Sequence, residues 1–111
     1  MPKLANWPLV GKSGKSYAFE VYELGTVFKR LGGVYVVSKR EVDSTGKGSH
    51  EVIYIGQSGD LSVRFDSHQK AHCFTNNKAN CISIHLESSE EARLEIEADL
   101  LGANPNAPCN G

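Results

Sequence analysis

"GGVYVVSKREVDSTGKGSHEVIYIGQSGDLSVRFDSH", running from Gly32 to His68, decides how this chain is read. It contains two short apolar runs, "GVYVV" and "VIYIG", each with a tyrosine in its middle. Both are rich in β-branched and aromatic residues, so both are expected to be strands. Between them lies "REVDSTGKGSH", polar and glycine-rich, which reads as a hairpin loop longer than the usual two to five residues. The segment after the second run, "SGDLSVRFDSHQKA", reads as a helix. Ser58 or Asp60 can cap it, and Leu61, Phe65 and His68 fall on one side at helical spacing.

Working outward, "SYAFEVYEL" places Tyr17, Phe19 and Val21 on one face and Glu20 on the other, the alternation of a half-buried strand. "GTVFKRLGG" is a short connection with room for one helical turn. "HCFTNNKAN" reads as loop and "CISIHLE" as a further strand. "SSEEARLEIEADLLGAN" is a helix: Ser88 and Glu91 have capping-box spacing. Ala92, Ile96 and Leu100, with Leu94 and Leu101, form its apolar side. "GANPNAPCNG" ends it with the expected breakers. The order predicts an α+β domain with a small, mainly antiparallel sheet flanked by helices. Residues 1–15 are expected to be an N-terminal loop or arm, and 16–111 a single domain.

The 111 residues suffice for one domain, and the 40% apolar content for one modest core. No run approaches the roughly 18 apolar residues of a membrane span, and "MPKLANWPLVGKSGKS" lacks the apolar stretch of a secretory signal. The three cysteines, Cys73, Cys81 and Cys109, are odd in number and widely spaced. Reduced thiols and a cytoplasmic location are therefore expected. Charge is uneven: residues 1–80 hold 11 Lys and Arg against 7 Asp and Glu, and residues 81–111 hold 1 against 6. A basic body beside an acidic segment suits an anion site next to a carboxylate or metal site, although a solvated acidic helix gives the same imbalance.

Two other constellations fail on spacing. "GKSGKS" resembles a phosphate loop, but Gly11 and Gly14 are too close together and a strand follows, not a helix. A mobile loop is expected there. His72, Cys73, Cys81 and His85 match no zinc-finger or ribbon spacing.

"GVY" at Gly33–Tyr35, "YIG" at Tyr54–Gly56 and the following "QSGDLSVRFDSH" together resemble the GIY-YIG nuclease family. That family carries an arginine about eight residues past the second glycine, and Gly56 to Arg64 matches. His68 matches the histidine of the homing-endonuclease and restriction-enzyme branches. The family's helical glutamate corresponds to Glu97 in "EADLL", and its asparagine after a proline-containing turn to Asn110. The resemblance spans residues 32–110 and implies the family's three-stranded sheet, here with an added N-terminal strand. GVY departs conservatively from GIY. Gln57 stands where some members carry lysine.

The resemblance implies an endonuclease hydrolysing phosphodiester bonds in nucleic acid, DNA ahead of RNA, with one Mg²⁺ or Mn²⁺ ion. Hydrolysis needs an activated water and neutralisation of growing negative charge. Glu97 would hold the metal, a hard cation preferring oxygen ligands. Arg64 would clamp the scissile phosphate, with Gly56 and Gln57 beside it. Tyr35 would act as general base or orient the water, Tyr54 and His68 would support or share that role, and Asn110 would fix the site by hydrogen bonds. No helix-turn-helix or zinc finger is read in the sequence, so a low-specificity or structure-selective nuclease, or one directed by a protein partner, is expected. The competing reading is a silent or partner-dependent module that grips nucleic acid or protein without cutting it.

Overall fold

The computed structural model describes residues 2–62 and 69–110. Among them are five strands and two helices: β1 (Ala5–Val10), β2 (Ser16–Glu23), β3 (Gly33–Val42), β4 (Gly48–Ser58), α1 (Ala71–Asn76), β5 (Cys81–Leu86) and α2 (Glu90–Ala103). The strands form one antiparallel sheet in the order β1-β2-β5-β3-β4. The α+β class expected from the sequence is present. No helix among the described residues is long and apolar enough to cross a membrane.

The alternation rule sorts the core into two faces. On one face Leu9, Phe19, Val34, Val36 and Ile55 meet Ile96 and Leu100 of α2. On the other, Tyr35, Val37, Ile53, Ile82 and Ile84 meet Leu61 and Phe74, the buried residue of α1. A register shift after Val37 leaves Ile53 without a partner between the pairs Val37–Tyr54 and Ser38–Val52. This bulge turns Ile53 to the same side as Tyr54. The sheet is curled: Trp7 on β1 stacks on His50 of β4, with ring centres 3.9 Å apart and 10° between planes, although these strands are the sheet's two edges.

Several expectations are corrected. Residues 5–10 form a strand rather than part of an N-terminal arm, so two strands, not one, precede the Tyr35 strand. Pro8, lacking an N–H, is tolerated because β1 is an edge. The loop after β1 is fastened, not mobile. The Asp99 carboxylate of α2 accepts from Ser13 N at 2.8 Å, Ser13 Oγ at 2.6 Å and Tyr17 Oη at 2.7 Å. The long hairpin loop shrinks to residues 43–47, because Lys39–Glu51 and Arg40–His50 continue the ladder through polar sequence. Asp43 Oδ1 closes that turn by accepting from Thr45 N and Lys47 N.

The connection from Gly25 to Gly32 forms no helix, whereas "HCFTN", read as loop, lies within α1. The central part of the helix expected after β4, residues 63–68, lies outside the described residues. The cap of α2 is Ser89, whose side chain accepts from Ala92 N, one residue later than the Ser88 expected. Leu94 is 45% exposed and does not join the apolar side. Cys73 and Cys109 form a disulfide and only Cys81 is a free, buried thiol, so the expectation of three reduced thiols fails.

Candidate active site

Tyr35 sits on β3, flanked by β4 and β5, and pairs with Gly56 on β4, while Tyr54 pairs with Val37. Residues two apart on a strand share a face, so both tyrosines and Gly56 lie on the α1 side. The rings of Tyr35 and Tyr54 are 6.0 Å apart, tilted by 32°. They meet over Gly56. A Cβ there would lie 2.7 Å from Tyr35 Cζ and Oη and 2.9 Å from Tyr54 Cε2. The glycine is therefore needed for the close approach of two rings. Gly56 is itself buried beneath them. Gly33 has a parallel reason, since a Cβ there would come within 2.8 Å of His85 O and Leu61 Cδ1. Both outer glycines of the two tripeptides are thus packing positions.

Tyr35 is 4% exposed. Burial pushes its hydroxyl pKa well above the ordinary value, with smaller contributions from the Tyr54 hydroxyl and from the Glu97 charge. Glu97, on α2, is partly buried, and that burial raises its own carboxyl pKa. Its charge reaches Tyr35, and it makes no hydrogen bond or ion pair among the described residues.

Asn110 closes the outer edge of β4. Its Nδ2 donates to Ile55 O and its Oδ1 accepts from Ile55 N, both at 2.9 Å. Cys109 N also donates to Ile53 O at 3.0 Å. The side-chain amide thus mimics a neighbouring strand beside the residue preceding Gly56. The Cys73–Cys109 bond ties this segment to α1, and Asn77 Nδ2 donates to Cys73 O at 2.9 Å.

Of the predicted site residues, Tyr35, Tyr54 and Gly56 are brought into contact, with Glu97 close enough to act on Tyr35 electrostatically. Asn110 acts through the β4 backbone. Arg64 and His68 lie outside the described residues. Gln57 Oε1 accepts from Arg93 Nε at 3.0 Å. Arg93 itself was missed. It is 6% exposed although it lies in an acidic, apparently solvated helix. Its spacing of three from Ile96 and seven from Leu100 was the available signal.

Among the described residues no group of three or more His, Cys, Asp or Glu side chains is placed to hold a metal. His85 Nδ1 lies 2.8 Å from Ala18 O, and Cys73 is in the disulfide, so the zinc set is dispersed. A single unpaired carboxylate such as Glu97 nonetheless fits a hard divalent cation that keeps most of its waters.

Compared with protein-family models, curated proteins and solved structures, the chain matches none.

Proposed function

We propose that the chain is a divalent-metal-dependent endonuclease of the GIY-YIG type, acting on phosphodiester bonds of nucleic acid, DNA before RNA. The observation that carries this reading is the meeting of Tyr35 and Tyr54 over Gly56, with the unpaired Glu97 carboxylate acting on Tyr35. The two tripeptides also lie on paired strands of the antiparallel unit β4-β3-β5.

Glu97 would hold the cation through carboxylate oxygen, and Mg²⁺ or Mn²⁺ bound there would supply positive charge for the leaving oxygen. Tyr35 is neutral in the resting site, because burial and Glu97 both oppose its ionisation. Its hydroxyl therefore orients the attacking water by hydrogen bonding, and takes the water's proton only as the phenolate, after cationic charge has offset that opposition and its own proton has passed to solvent. Arg64 supplies such charge and a bidentate grip on the scissile phosphate. Tyr54 packs Tyr35 in place, and His68 shares the proton-handling role. Asn110 positions the Ile55–Gly56 backbone beneath the rings.

Base readout needs side chains inserted into a groove; the described site supplies backbone contacts, so the activity is of low or structure-based selectivity unless a protein partner directs it. A cytoplasmic site of action belongs to the same proposal, and there the Cys73–Cys109 pair would be reduced.

The test is cleavage of supercoiled plasmid, single-stranded DNA and RNA with Mg²⁺ or Mn²⁺, beside Glu97→Ala. Cutting that disappears in the variant and with a chelator supports the enzyme. Metal binding at Glu97 without cutting points to a partner-dependent enzyme. Neither cutting nor metal binding leaves the non-cutting binding module.

A further inference from the structure

Arg93 is a buried cation held by neutral oxygens. Its Nε donates to Gln57 Oε1 at 3.0 Å, and Nη1 donates to Glu87 O at 3.1 Å and Ser88 O at 2.9 Å. The ion pairs among the described residues are Lys3–Glu20 and Lys39–Glu41, and neither involves Arg93. Glu87, whose backbone oxygen accepts from Arg93, has its own Oε2 bonded to Ser89 N. Taking a full charge out of water without a counter-ion costs several kcal/mol, and an apolar side chain would fill the space more cheaply. Something other than stability accounts for a guanidinium there.

The remaining nitrogen shows where the charge is presented. Nη2 makes no hydrogen bond among the described residues. It opens beside Gly59, where a Cβ would lie 3.5 Å away. Gly59 is exposed, and its N–H has no partner among the described residues. Gly32 leaves room on the other side, since a Cβ there would come within 2.6 Å of Nη1. Three bonds to neutral oxygens fix the guanidinium plane and leave Nη2 beside Gly59 with no acceptor among the described residues, which is preorganised for an oxyanion.

We infer that Arg93 Nη2 and the Gly59 N–H bind a backbone phosphate of a nucleic-acid strand, a contact separate from the scissile phosphate. This rests on the nuclease reading. Gln57, which holds Arg93, directly follows the Gly56 that lies beneath Tyr35 and Tyr54 but points to the opposite, α2 face, so a strand leaving the tyrosines meets Arg93 by turning around the end of β4. A phosphodiester carries one negative charge, which matches the single uncompensated positive one.

The experiment places a carboxylate over Nη2. Gly59 has no left-handed φ, so Gly59→Asp and its neutral isostere Gly59→Asn fit the backbone. Ser44→Asp, in the turn at the other end of β4, controls for net charge. Binding of a fluorescent oligonucleotide to the full chain is measured in EDTA over a salt series, with thermal melts to verify folding. Gly59→Asp is expected to weaken binding about tenfold and to flatten the slope of log K against log salt by about 0.7–0.9, the share of one phosphate. Gly59→Asn and Ser44→Asp should stay within about twofold. Equal binding by Gly59→Asp and wild type overturns the inference, even if the chain cuts. Sensitivity to Gly59→Asp in a chain that never cuts upholds the contact while removing the nuclease reading. Stabilisation by inorganic phosphate, lost in Gly59→Asp, with no oligonucleotide binding, overturns the strand in favour of a free anion.

Discussion

Gly56→Ala tests the meeting of the two tyrosines most directly. The new methyl would stand 2.7 Å from Tyr35 Cζ and Oη. Ordinary carbon contacts lie at about 3.5–4.0 Å, so the ring must retreat by about 1 Å. Tyr35 is 4% exposed and packed into the cluster of Ile53, Leu61 and Phe74, so nothing yields cheaply. Overpacking of this kind costs about 1–3 kcal/mol, a fall in Tm of about 4–12 °C for a domain of this size. Backbone strain contributes nothing, because Gly56 has no left-handed φ. The assay is urea denaturation followed by circular dichroism, in a double-mutant cycle with Tyr35→Leu, which removes the distal ring atoms. In that background Gly56→Ala should become nearly neutral, giving a coupling of about 1–2 kcal/mol. Tyr35→Phe should give little relief, because Cζ remains. An equal cost of Gly56→Ala in both backgrounds would refute the ring-over-glycine reading.

Glu97→Gln should abolish cleavage yet raise Tm by about 2–4 °C, a gain of roughly 0.5–1 kcal/mol. Burial raises the carboxyl pKa, so the folded state holds the proton more tightly: the Glu97 contribution favours folding below its ordinary pKa and declines as pH rises through the raised one. The variant's melting profile should lack that decline; an unchanged profile would remove Glu97 from a desolvated site. Tyr35→Phe should cut the single-turnover rate by about 10²–10⁴-fold with oligonucleotide binding intact, and near-normal turnover would shift its role to His68 or Tyr54. Reduction of Cys73–Cys109, which closes a separation of 36 residues, should cost about 3–4 kcal/mol by the chain-entropy account. A denaturation midpoint unmoved by dithiothreitol would contradict a bonded pair. Hydrogen bonds from Ser13 and then Tyr17 hold the Asp99 pKa below its usual range, so its stabilising contribution is present above that range and lost as pH falls through the lowered value. Asp99→Ala should accelerate amide exchange at Ser13; unchanged protection would mean the loop is held otherwise.

The strands around Tyr35 and Tyr54 were legible because β-branched runs there are buried on both faces. Their polar extensions were not, since Lys39–Glu51 and Arg40–His50 pair across the ladder without apolar alternation. β1 was hidden by Pro8, which is acceptable only because nothing pairs beyond it. α1 is six residues long with no side-chain cap, and is held by burial of Phe74 rather than by local signals. In the candidate site, residue type and strand pattern singled out Tyr35 and Tyr54, whereas Glu97 and Asn110 came only from the resemblance. The packing reason for Gly56 and the burial of Arg93 depend on which residues oppose them across the sheet. The odd cysteine count misled, because one thiol, Cys81, is simply enclosed.

The Trp7–His50 stack supplies the protein with its own optical gauge. The chain has one tryptophan, and an imidazole quenches indole emission most strongly once protonated. Burial and then the Arg40 charge depress the His50 pKa, so this quenching begins below the usual histidine range in the folded chain. The two rings come from strands joined only through the other three. Tryptophan fluorescence therefore registers completion of the whole sheet rather than formation of any one hairpin, and allows assembly to be timed without a label.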